Sequence, residues 1–225
     1  MNGMELCRAA AYDLRDMGDA PHYQYPLVEK LHYLKRGLRF IAQDLAALRS
    51  ALVMAQTTLS YASGVNSAAL PTDYMNHWAV MISGQEASTG PLDLLAKEDR
   101  FRTGSTPQGY WIQGSSLYLA PTPTTATDIV LEYAAWPSLL AEDEAQTEAQ
   151  AETQLATDLP WRGHFDEALR QFVTISCANR NEYDTKTEQG LYQMLKQTAE
   201  DAASADDLMA LDRQGPGGLW TGEDQ

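Results

Sequence analysis

Eight aliphatic residues recur along one stretch at alternating steps of four and three: Leu27, Leu31, Leu34, Leu38, Ile41, Leu45, Leu48 and Leu52. Such spacing places them on one face of an α-helix. A stripe sustained this long must be covered by another helix, because a lone amphipathic helix cannot hide it. Pro26 suits the first turn of that helix. A matching face lies far downstream, after Pro160, in Phe165, Leu169, Phe172, Val173 and Cys177, and continues through Leu191, Met194 and Leu195 after a break near Asn181 to Asp184. Upstream, Leu6, Cys7, Ala10, Leu14 and Met17 predict a short helix over 4–17, stopped by Gly18 and Pro21.

Between the helical stretches the period changes. From about Thr57, Leu59 and Tyr61 alternate with polar residues. Short apolar or alternating runs follow at Trp78 to Ile82, Leu92 to Leu95, Tyr110 to Ile112, Leu117 to Leu119 and Ile129 to Tyr133. Gly, Pro, Asn and Asp separate them, which predicts a small antiparallel sandwich or barrel. Gly114 and Ser115 occupy a tight turn, and Pro121 and Pro123, which cannot donate to a ladder, belong in a loop or at an edge. Residues 141–158 hold Glu142, Asp143, Glu144, Glu148, Glu152 and Asp158 with no Lys or Arg, so a frayed helix or an extended acidic loop is open to them.

These patterns predict an α+β fold built as a discontinuous helical bundle with an inserted β-domain. Residues 1–56 form its N-terminal helical part, 57–140 the inserted sandwich, 141–159 an acidic loop, 160–212 the helical part that completes the bundle, and 213–225 a flexible tail. Within the last helical part Leu208, Met209 and Leu211 make an apolar knot, and Leu219-Trp220 stands alone in the acidic tail as a candidate docking anchor.

The formal net charge of −15 across 225 residues argues against nucleic-acid binding by the chain as a whole, since that affinity comes largely from cationic side chains. It fits solubility, or a surface that lies beside DNA without adhering. No apolar run approaches the roughly 18–20 residues of a membrane helix, and nothing at the start reads as a signal peptide, so synthesis in a cytoplasm is expected. Cys7 and Cys177 both fall in helical patterns and read as buried free thiols. Among the histidines His22, His32, His77 and His164, no pair has the HxxxH spacing of a metal site. Neither a nucleophile elbow nor a phosphate loop occurs. No catalytic, metal or cofactor site is expected. Tyr110, Trp111 and Tyr118 could stack on sugar rings, but alternate residues of a strand face opposite ways.

One basic cluster stands out in an acidic chain: Lys30, Lys35, Arg36 and Arg39, beside the leucine stripe. It can be a face solvated or paired within the molecule, or a contact for an acidic neighbouring subunit. The candidate interface residues are therefore Lys30, Lys35, Arg36, Arg39, Leu208, Met209, Leu211, Leu219 and Trp220.

The order of parts resembles the head-to-tail adaptor (tail tubular protein A-like) family of short-tailed bacteriophages. The match runs through ELCRAAAYDLRD, YPLVEKLHYLKRGLRFIAQ, the LPTDY junction, GYWIQGSSLYLAPTP, DIVLEYAAWPSLL and DEALRQFVTISCANRNEYD, covering most of residues 4–200. The resemblance implies a structural virion protein that docks the portal protein on one side and a tail tube or nozzle protein on the other. It also implies self-assembly into a ring, a dodecamer, around the channel through which DNA leaves without specific binding. Assembly in the host cytoplasm and residence in the virion neck follow, with no membrane role. Two other classes compete: a tail protein that binds or degrades peptidoglycan or glycans, and an assembly chaperone absent from finished particles.

Overall fold

The computed structural model describes residues 1–16, 25–85, 90–101, 103–140, 142–180 and 186–213, and of residues 98, 101, 162, 187, 188, 203 and 205–213 the backbone alone. The chain divides into two compact units, Met1–Leu52 with Pro137–Gln225, and Val53–Trp136. The fold is α+β.

The first unit is helical. Helix α1 (Gly3–Asp13) starts at a capping box, in which the Asn2 side chain accepts from the Glu5 N–H and the Glu5 carboxylate accepts from the Asn2 N–H. Helix α2 (Leu27–Ala47) carries the stripe, with Leu27, Leu31, Leu34, Leu38, Ile41 and Leu45 all buried. Each such burial contributes roughly 1.5–3 kcal/mol. The stripe ends sooner than its spacing predicts. Leu48 is the C-cap of α2 and 58% exposed, and Leu52 lies half-buried in a 3-10 turn. The period runs on past the point where Arg49 turns the backbone left-handed (φ 55°), so Leu48 and Leu52 are not part of the seam.

Helix α3 (Glu148–Leu155) is the form that the acidic segment takes, opened by a Thr147/Gln150 capping box and held by the buried Ala151 and Leu155. Helix α4 (Asp166–Arg180) packs on α2 and α1, burying Ala168, Leu169, Val173 and Cys177. Gly37 permits the α2–α4 approach: a Cβ there would sit 3.0 Å from Phe172 Cδ1 and 3.1 Å from Leu169 Cδ2. Helix α5 (Lys186–Arg213) packs on α4. The expected stop at Gly18 and Pro21 and the expected break at Asn181 to Asp184 lie outside the described residues.

The second unit is a pair of sheets. Strands β1 (Met54–Tyr61), β3 (Tyr74–Ile82) and β7 (Thr127–Ala135) form one, in the order β1-β7-β3. Strands β2 (Ser67–Ala69), β4 (Asp93–Leu94), β5 (Gly109–Gln113) and β6 (Ser116–Ala120) form the other, in the order β2-β6-β5-β4. All pairs are antiparallel except β4 with β5. The β5–β6 hairpin closes at Gln113↔Ser116, with Gly114 at φ 61°, a left-handed conformation that glycine adopts without strain. Leu59, Tyr61, Val80, Ile82, Tyr110, Leu117, Leu119, Ile129, Leu131 and Tyr133 fill the space between the sheets. The Tyr61 hydroxyl donates to the Leu117 carbonyl across that core at 3.0 Å.

Candidate functional site

The four cations flanking the stripe have different surroundings. Lys30 is 1% exposed and its Nζ lies 2.8 Å from Asp16 Oδ2, itself buried. The same carboxylate accepts the Tyr25 N–H at 3.3 Å. This pair ties the end of α1 to the first turn of α2 within a closed interior. Lys35 is also buried, and donates to the carbonyl oxygens of Glu142 (3.0 Å) and Asp143 (3.2 Å). Burial lowers its pKa from the ordinary lysine value, while the Glu142 and Glu144 carboxylates oppose that shift. For Lys30 and Lys35, therefore, the cluster is paired within the molecule. Arg36 and Arg39 are exposed, and the Arg36 guanidinium sits 5.5 Å over the Phe40 ring.

Lys35 is one of two fasteners for the acidic segment. Pro26, the N-cap of α2, supplies no side-chain cap. The Glu148 carboxylate, from the start of α3, takes that place by accepting the Leu27 N–H at 3.0 Å and the Val28 N–H at 3.5 Å. A negative group there satisfies orphan donors and the positive end of the helix dipole together. Other cations of this unit also pair with its own acids: Arg170 with Asp13 at 3.2 Å and with Glu167, Arg180 with Glu29, and Lys196 with Asp44.

A groove of about 480 Å³ opens on the helical unit where α2, α4 and α5 meet. Its wall is a chain of rings: Phe40 to Phe172 at 5.8 Å edge-on, and Phe172 to Tyr192 at 5.5 Å. Arg36 and Gln193 also line it. Phe40 remains 41% exposed. A second cavity of about 450 Å³ runs beside the first turns of α2, between Leu31, Tyr33 and the Glu144–Gln146 stretch. Burial, then the bond donated to Glu29, push the Tyr33 hydroxyl up to about 12.

Of the remaining candidates, Leu208, Met209 and Leu211 fall on the last turns of α5, with side chains outside those described, and Leu219 and Trp220 lie outside the described residues altogether. The aromatic triad of the hairpin is not an open platform. Tyr110 lines the sandwich core, whereas Trp111, 9% exposed, stacks on Tyr118 at 5.0 Å and 11° under the Arg100 guanidinium. Cys7 and Cys177 are buried free thiols that desolvation pushes up to about 12. Among the described residues no group of three or more His, Cys, Asp or Glu could hold a metal ion, and no helix is long and apolar enough to cross a membrane.

Sequence reasoning missed Asp16, Glu148 and the Phe40–Phe172–Tyr192 wall. The first two act over 14 and about 120 residues, so no local pattern announces them. Phe40 carried a signal: it sits off the stripe, four residues after Arg36, on a face with no other reason to be aromatic.

Comparison with known proteins gives one family. The sequence model described as SU10 adaptor protein matches residues 1–217. No curated protein matches the chain.

Proposed function

Because the chain belongs to the SU10 adaptor protein family, a family of phage head-to-tail adaptors, we propose that it forms a closed ring between portal and tail, around the channel through which the genome leaves. Membership makes it a structural protein of the phage neck that interacts with portal and tail proteins in general. The family match along nearly the whole length carries the reading. The finer statements are ours: a dodecamer, a portal protein on one face, a tail tube or nozzle protein on the other, and a role without catalysis.

Charge supports the channel. With a net charge of −15 and five cations of the helical unit turned onto its own carbonyls and carboxylates, a ring of copies presents a field that repels passing duplex. Ring closure needs a heterologous contact whose rotation divides a full turn. The exposed Arg36 and Arg39, the end of α5 with Leu208, Met209 and Leu211, and the Leu219-Trp220 segment are the proposed contact surface. Lys30 and Lys35 contribute indirectly, by fixing the helices that present it.

The glycan reading loses its platform, since Tyr110 and Trp111 are covered. Electron microscopy of the chain mixed with purified portal tests the proposal, together with mass spectrometry of finished particles. A closed annulus on the portal is expected. A chain that stays monomeric with portal, or that is missing from mature virions, overturns the ring.

A further inference from the structure

The geometry points to an occupant for the aromatic groove: the Leu219–Asp224 segment of a second copy of this chain. The inference rests on the reading that copies of the chain assemble, and it names the contact by which one copy grips another.

The groove asks for a particular chemistry. Its wall of Phe40, Phe172 and Tyr192 suits a flat apolar group, and its volume of about 480 Å³ lies within the roughly 300–1,000 Å³ typical of sites that take a compact ligand. Gly190 leaves the α5 side open, since a Cβ there would meet nothing within 4 Å. Arg36 lines the groove and is exposed, already over the Phe40 ring, with Arg39 one turn further along α2. The fitting partner is an aromatic residue followed closely by acids. Residues 219–224 read Leu-Trp-Thr-Gly-Glu-Asp. Trp220 is the tryptophan of this stretch, followed within four residues by Glu223 and Asp224. An indole beside a guanidinium adds cation–π attraction to the burial.

Reach decides between the chain's own tail and another copy's. Helix α5 continues to Arg213, and at ~1.5 Å per residue the end of the helix lies about 35 Å from Gly190. Seven residues from Arg213 to Trp220, stretched straight, span about 25 Å at most. A fully extended tail thus ends about 10 Å short of Gly190, so the groove is assigned to the Trp220 of another copy.

Disulfide trapping in the full-length chain tests this. Gly190→Cys and Leu219→Cys are placed in separate preparations, mixed, and oxidised, alone at high concentration and loaded on purified portal. Bridged pairs of the two variants are expected. The double variant should give a ladder of linked chains and no internally closed monomer, because a disulfide spans no more than about 7 Å between Cα atoms. Trp220→Ala in the Leu219→Cys background and Arg36→Glu in the Gly190→Cys background should each cut the yield about tenfold or more, as removal of an interface anchor does. Glu223→Arg should restore the yield lost with Arg36→Glu. Absence of the bridge in both samples, or an internally closed monomer, overturns the inference. Rings on portal without the bridge remove this contact and leave the ring standing, whereas bridged pairs without rings keep the contact and remove the ring.

Discussion

The two units of this chain hold themselves together by opposite means. The sandwich of residues 53–136 is contiguous, and its strands pair by backbone ladders around a core of ten side chains, within which the Tyr61 hydroxyl donates to the Leu117 carbonyl. The helical unit is assembled from pieces on either side of that insert, and its pieces are tied by charged side chains acting across the sequence: Lys35 on Glu142 and Asp143, Glu148 on Leu27, Arg180 on Glu29. A contiguous unit can rely on the register of its backbone ladders. A split one needs long-range polar ties to set how its apolar stripes meet.

That contrast can be broken most forcefully at Lys30. Lys30→Ala removes the ammonium that faces the buried Asp16 carboxylate and should cost about 3–5 kcal/mol, read as a drop in the urea midpoint of helical ellipticity. Replacing both partners with apolar residues of similar volume should recover most of that loss, which separates the charge effect from the packing effect. In the sandwich the comparable blow is apolar: Leu131→Ala, at a site 0% exposed, should cost about 2–5 kcal/mol through lost burial and a cavity. A polar change there that rivalled it would erase the distinction between the units. Glu148→Ala should cost ~1 kcal/mol, the ordinary value of a lost cap, and should expose α2's first amides to faster hydrogen exchange.

The smallest effect at neutral pH grows with alkali. Burial raises the Cys7 and Cys177 thiols from an ordinary 9.0 to about 12. The folded state keeps its protons longer than the unfolded one, so their contribution is complete below pH 9 and is lost as pH rises toward 12. Tyr110 and Tyr133 in the sandwich move from 10.0 to about 12, mainly by burial, and act in the same sense one pH unit later. Base titration should thus soften helical ellipticity before the β-sheet signal of the sandwich is lost. Cys7→Ala with Cys177→Ala should delay the first of these.

What the residues disclosed in advance follows the same divide. The stripe from Leu27 to Leu45 was legible because every member serves one interface, and the hairpin around Gly114 because its turn chemistry is local. Leu48 misled, since a period says nothing about where a helix is capped. The strand β1 begins at Met54, ahead of the visible alternation, because its first residues Met54 and Gln56 face solvent whatever their polarity. Helix α3 was ambiguous by composition, although Thr147 and Gln150 stand at capping-box spacing. The basic cluster divided for a reason outside its own segment: the acids and carbonyls that engulf Lys30 and Lys35 come from residues 16, 142 and 143. Arg36 and Arg39 stay exposed.

Glu148 capping α2 from about 120 residues away has a consequence for the newborn chain. As synthesis proceeds, the sandwich has every one of its strands once residue 136 has left the ribosome, while α2 emerges early and waits, its leucines uncovered and its first amides bare, until α3 and α4 arrive. The exposed interval runs from Ala47 to the start of α3 at Glu148 and beyond, and any nascent-chain binder that shields aliphatic stripes would find its best target there.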